Sequence, residues 1–180
     1  EEEGHGSPTV WKNSVFLNSS TDKGKTRKVI AVDAKSGKLK WQRSYRSKTH
    51  KTHRFNSFAS STPALDKNSV YSVWGHSTEL LVTAHSHDGK LLWERDLGGV
   101  TGGHGLAVSP IVFEDLLIVP NDQEKGGGAH YGLDCKTGEI KWKVPRASKR
   151  LTYSTPCIFT SPLGKPELIF TNWWLGFTSL

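Results

Sequence analysis

The sequence predicts an all-β chain folded as a partial β-propeller, with three complete four-stranded antiparallel blades and most of a fourth. Two recurring patterns carry that expectation. The first is an apolar strand, a polar turn closed by Gly, and a strand ending on Trp. It is written three times, from Ala31 to Trp41, Thr83 to Trp93 and Gly132 to Trp142. The second is a Ser-Pro or Thr-Pro step that opens an apolar run, at Pro8, Pro63, Pro110 and Pro156. Both recur about every 50 residues, and a fixed period of that size marks a repeat architecture. No stretch holds an apolar period of 3.6, so helices are not expected.

Taken in chain order, the units fall at about 6–48, 57–97, 105–146 and 152–180, the last incomplete. Each opens at its Pro, which lacks an N–H and suits the first residue of a strand. A tight polar turn follows, at Lys12-Asn13, Asp66-Lys67-Asn68 and Glu114-Asp115, and then a second apolar run. In the first unit the pattern predicts strands over roughly 8–12, 14–18, 28–33 and 38–44. The hairpin before each Trp strand needs a positive φ, which Gly37, Gly89 and Gly138 reach without steric cost. Asp33 and Asp134 stand where a carboxylate can accept turn N–H groups two or three residues on. The second unit has Thr83 and His85 where the first has Ala31 and Asp33, so its turn is expected to be less well capped. His85-Ser-His87-Asp88 reads as that turn. In the fourth unit the text supplies two strands and begins a third at Gly176, which implies that the remaining blades of a closed ring lie outside these residues.

The formal net charge is +7, concentrated in the connector from Arg43 to Arg54. Aromatic residues are not interleaved through it, so it reads as a solvated inter-blade loop rather than a nucleic-acid surface. No apolar run approaches ~18 residues, so no transmembrane helix is expected. The two cysteines, Cys135 and Cys157, sit in different repeat contexts, and Cys157 reads as a small buried apolar residue.

The motif Ala-x-Asp-x-x-x-Gly-x-x-x-Trp, with its preceding Ser-Pro strand, resembles the pyrroloquinoline-quinone-type β-propeller repeat. That resemblance implies a docking role for Trp41, Trp93 and Trp142. Each indole would pack on the Gly turn of a neighbouring blade and donate to a main-chain carbonyl. It also implies an extracytoplasmic location, in the periplasm or cell envelope, and three possible functions. One is a non-catalytic scaffold with a protein partner, like the outer-membrane assembly propeller lipoproteins. Another is a dehydrogenase using pyrroloquinoline quinone with calcium to oxidise alcohols or sugars. The third is a sensor propeller attached to a kinase. Neither an adjacent Cys pair nor an Asp-rich metal set is visible, so the scaffold is the expected function, with no catalytic residue and no cofactor.

The candidate binding residues are His5, His53, Arg54 and His104, each in a connector that leads to a Pro-initiated inner strand. Such loops on a rigid scaffold are where binding residues concentrate. The expectation is that these four line one opening and hold an anion or a transition metal.

Overall fold

The computed structural model describes residues 2–162 and 164–180. Four antiparallel sheets follow one another along the chain, each with its strands hydrogen-bonded in chain order. The first holds β1 (Thr9–Trp11), β2 (Ser14–Thr21), β3 (Thr26–Asp33) and β4 (Leu39–Arg46). The second holds β5 (Ala64–Leu65), β6 (Ser69–His76), β7 (Glu79–Ser86) and β8 (Leu91–Asp96). The third holds β9 (Ile111–Phe113), β10 (Leu116–Val119), β11 (Gly128–Asp134) and β12 (Ile140–Arg146). The fourth has three strands, β13 (Cys157–Thr160), β14 (Pro166–Asn172) and β15 (Gly176–Ser179). The arrangement is that of a partial β-propeller.

Sheets bury both faces because side chains alternate across a strand. On β6, Val70 and Trp74 pack into a core with Phe16, Val29, Ala31 and Trp41 of the first sheet. Their neighbours Tyr71 and Val73 point the other way, into a core with Leu117, Val119, Tyr131 and Leu133 of the third sheet. All eight residues of β6 are buried. Ile118 then meets Leu168 and Phe170 of the fourth sheet. The apolar core is therefore three inter-sheet layers.

The first strands of successive sheets lie side by side, β1 against β5 and β5 against β9. Their Pro markers do more than start strands. The N–H of Ser7 donates to Thr62 Oγ1, and the N–H of Thr62 donates to Ser109 Oγ, both at 2.9 Å. The hydroxyls before Pro63 and Pro110 thus each receive an N–H from the preceding unit.

Strands β2 and β3 run longer than the sequence suggests. Their link closes on a 3-10 turn, Asp22–Gly24, which lets pairing continue to Thr21↔Thr26. The second repeat turn also departs from expectation. In the first and third sheets the turn closes from Gly37 N–H to Asp33 O and from Gly138 N–H to Asp134 O. In the second it closes from Gly89 N–H to Ser86 O, one residue tighter. Ala84, not Thr83, therefore pairs with Trp93, as Ala31 pairs with Trp41. Ser86 Oγ accepts one N–H in this turn, from Lys90 at 3.0 Å, where Asp33 and Asp134 each accept two. His85 is displaced from the turn onto β7, where it is fully buried and 2.6 Å from the Tyr45 hydroxyl.

Cys157 is exposed and Cys135 is buried, the reverse of the expectation for Cys157, and both thiols are free. Cys157 lies at the start of β13, a strand exposed along its whole length. Among the described residues, no helix is long and apolar enough to cross a membrane.

Candidate functional site

Strand direction divides the molecule into two ends. The Gly turns before each Trp strand and the hairpins between first and second strands share one end. The connectors from one sheet's last strand to the next sheet's first strand share the other.

At the turn end, Asp33 Oδ1 accepts N–H groups from Ser36 and Lys35 at 2.8 and 3.1 Å. Asp134 Oδ1 accepts from Lys136 and Thr137 at 2.9 and 3.0 Å. The bond from the Ser36 N–H, and in the third sheet that from Thr137, holds each carboxyl below the usual range. The Trp41 indole N–H donates to the His87 carbonyl of the second sheet at 2.9 Å. The Trp93 indole N–H donates to the Cys135 carbonyl of the third sheet at the same distance. Each ring lies flat on a glycine. A Cβ on Gly89 would stand 2.6 Å from Trp41, and one on Gly138 would stand 2.6 Å from Trp93. A Cβ on Gly37 would meet nothing within 4 Å. Trp142 is placed differently: it covers Gly132 of its own sheet and borders the Ile118, Leu168 and Phe170 cluster. Its indole N–H reaches no carbonyl among the described residues.

At the connector end, two of the four candidate binding residues, His53 and His104, line one cleft, while His5 and Arg54 contact Phe55 but are not among its lining residues. The His53 and His104 rings lie 5.0 Å apart, centroid to centroid, with their planes at 58°. Their backbones are tied as well. The His53 N–H donates to the His104 carbonyl at 3.2 Å, and Asn56 Nδ2 donates to the same oxygen at 2.6 Å. His5 Nδ1 sits 3.3 Å from the Phe55 carbonyl. The Arg54 guanidinium covers the Phe55 ring, 4.5 Å from its centroid.

His53, Phe55, Asn56, His104, Ala107 and Tyr153 line an open cleft of about 230 Å³. Three successive connectors thus contribute to one site. Phe55 is 73% exposed and Tyr153 is 44% exposed. Sequence reasoning did not single out Phe55, Asn56 or Tyr153. The available signal was a large aromatic inside an otherwise polar connector, just after His53-Arg54 and soon after Lys149-Arg150. The cleft offers aromatic faces and imidazoles that donate or accept, and the Arg54 guanidinium lies beside it over Phe55. Among the described residues, no three His, Cys, Asp or Glu side chains are grouped to hold a metal ion.

With this geometry in place, sequence comparison finds that the family described as outer membrane protein assembly factor BamB matches residues 25–158. The chain belongs to this BamB-like family of pyrroloquinoline-quinone-type repeats. No curated protein matches it in sequence. Among solved structures it is similar to a europium-containing methanol dehydrogenase, with a TM-score of 0.59 at 19% identity over 82% of this chain and 26% of that one. It is similar to the quinohemoprotein alcohol dehydrogenase of Comamonas testosteroni, with a TM-score of 0.56 at 21% identity over 78% of this chain and 21% of that one. BamB from Moraxella catarrhalis aligns with a TM-score of 0.52 at 18% identity, over 96% of this chain and 49% of that one. These likenesses show a shared fold. The BamB-like chain spans about a quarter of the dehydrogenases it matches and about half of BamB.

Proposed function

We propose that this chain is part of an extracytoplasmic propeller that acts as a scaffold and binds a protein partner across its connector face. The units 6–48, 57–97, 105–146 and 152–180 are its blades, and the indoles of Trp41 and Trp93 lock neighbouring blades together. The observation that carries the binding reading is the cleft of His53, Phe55, His104 and Tyr153, built from three connectors on a rigid base. Exposed aromatic rings beside a guanidinium are the composition of interface anchors, where one large ring buried by a partner supplies much of the affinity. Membership in a family described by outer-membrane protein assembly, and a fold shared with BamB, support the same reading.

The fold shared with two alcohol-oxidising enzymes favours a second reading, a segment of a quinone-dependent dehydrogenase. One experiment separates them. A photo-crosslinking residue placed at Ala107 of the full-length protein is expected to capture a protein partner in cells, and Phe55→Ala with Tyr153→Ala is expected to lower that capture at least tenfold. Saturable binding of pyrroloquinoline quinone by the full-length protein, with dye-linked alcohol oxidation, would overturn the scaffold reading.

A further inference from the structure

Beneath the connector between the first two sheets is a small, partly open cavity of about 10 Å³, walled by residues 57–61, His50, Val73, Trp74, Gly75 and Leu106. It has room for a single water-sized species. Three polar atoms on its lining residues are buried without a hydrogen-bond partner: Trp74 Nε1, Ser61 Oγ and His50 Nδ1. Trp74 is 4% exposed and Ser61 2%. A buried polar group left unmatched costs about 1–3 kcal/mol, so three around one void point to an occupant.

The charge beside the cavity narrows the occupant's chemistry. Arg27 is 1% exposed. Its guanidinium stacks over Phe58, a wall residue, 4.9 Å from the ring centroid, and donates through Nη1 to the Phe58 carbonyl. Nε and Nη2 have no partner, and among the described residues no carboxylate forms an ion pair with it. The Glu3 carboxylate favours the charged guanidinium only from beyond ion-pair distance, and a buried cation so weakly compensated is unfavourable in a protein interior. An indole N–H can only donate, and a guanidinium can only donate. Ser61 and the Nδ1–H tautomer of His50 can donate too. The occupant that suits all of them is an acceptor with negative charge. The volume excludes phosphate, sulfate and carboxylates.

We infer that this cavity is a site for a monatomic halide, chloride in the cell, which neutralises Arg27 and bridges the connector to β6. The ion would act as a structural staple between the first and second sheets, above the face where the candidate cleft lies.

The test is thermal and urea unfolding of the chain at fixed ionic strength, with sodium chloride exchanged for sodium gluconate and with sodium bromide and fluoride as further probes. Chloride and bromide are expected to stabilise over gluconate, and above the dissociation constant each tenfold rise in halide raises the folding constant about tenfold. Trp74→Phe, which removes the N–H donor together with the indole's second ring, and Ser61→Ala are each expected to weaken the apparent halide affinity at least tenfold. Ser61→Ala carries the test should Trp74→Phe fail to fold. Equal stability in chloride and gluconate would mean that water alone fills the cavity and would overturn the inference. So would an undiminished halide response in both variants.

Discussion

In these 180 residues on their own, two glycines of the same repeat position offer an internal control for the contact between sheets. Gly37 and Gly138 both close a Trp hairpin and share a left-handed backbone, with φ of 67° and 71°. Replacing either with Ala forces an L-residue into that region, at about 1–2 kcal/mol. Only at Gly138 does the new Cβ strike an indole, 2.6 Å from Cε3 and 2.7 Å from Cδ2 of Trp93. Ordinary contact needs nearly 1 Å more, so the ring must move. Movement lengthens the 2.9 Å bond to the Cys135 carbonyl, a net loss of about 1 kcal/mol. Overpacking adds about 1–3 kcal/mol. Gly138→Ala should therefore cost about 2–4 kcal/mol more than Gly37→Ala. Urea denaturation of both variants measures the difference directly, as a midpoint lower by about 1 M or more in Gly138→Ala. Equal costs, within about 0.5 kcal/mol, would show that the indole contributes nothing beyond the turn.

Other perturbations follow from the buried polar groups. Burial pushes the imidazoles of His85 and His130 down to about 4. Each folded value lies below the ordinary 6.5, so the unfolded chain takes up protons first as pH falls. The stability is full above pH 6.5 and drains toward pH 4, by up to about 3 kcal/mol for His85. Chemical denaturation at pH 7.5, 6 and 4.5 should show this fall, and a flat profile would contradict the burial of both rings. Arg146 Nε donates to Asp122 Oδ1 at 3.0 Å, and Asn172 Nδ2 donates to the other carboxylate oxygen at 2.9 Å. Asp122→Ala would leave Arg146 buried without its counter-charge and should destabilise by about 3–5 kcal/mol in a thermal melt. A loss under 1 kcal/mol would mean that the pair is solvated.

Much of the fold was legible because repeats constrain one another. Asp33 and Asp134 recur in step with Gly37 and Gly138, and in the structure they accept the turn N–H groups. The second unit shows where such counting stops. Spacing measured back from Trp93 is sound as far as Gly89, but the turn there is one residue shorter, and every position upstream slips by one. A one-residue slip exchanges the two faces of a strand, which is why His85 sits in the core beside Tyr45 and not in a turn. His53 and His104 share a place before an inner strand and their rings lie 5.0 Å apart, whereas His5, in a comparable place, is not among the cleft's lining residues. Phe55 and Tyr153 did not stand out, because a lone aromatic in a polar loop looks the same whether it folds inward or stays exposed. The halide cavity has no sequence signature, since Arg27, His50, Ser61 and Trp74 come from separate segments joined only by packing.

The central claim is that the indoles of Trp41 and Trp93 bind one sheet to the next. Hydrogen exchange of these two indole N–H groups, followed by nitrogen-15 NMR, reads this most directly. The account predicts slow, strongly protected exchange at both, because each is held by a main-chain carbonyl of the next sheet. Fast exchange at both would contradict it.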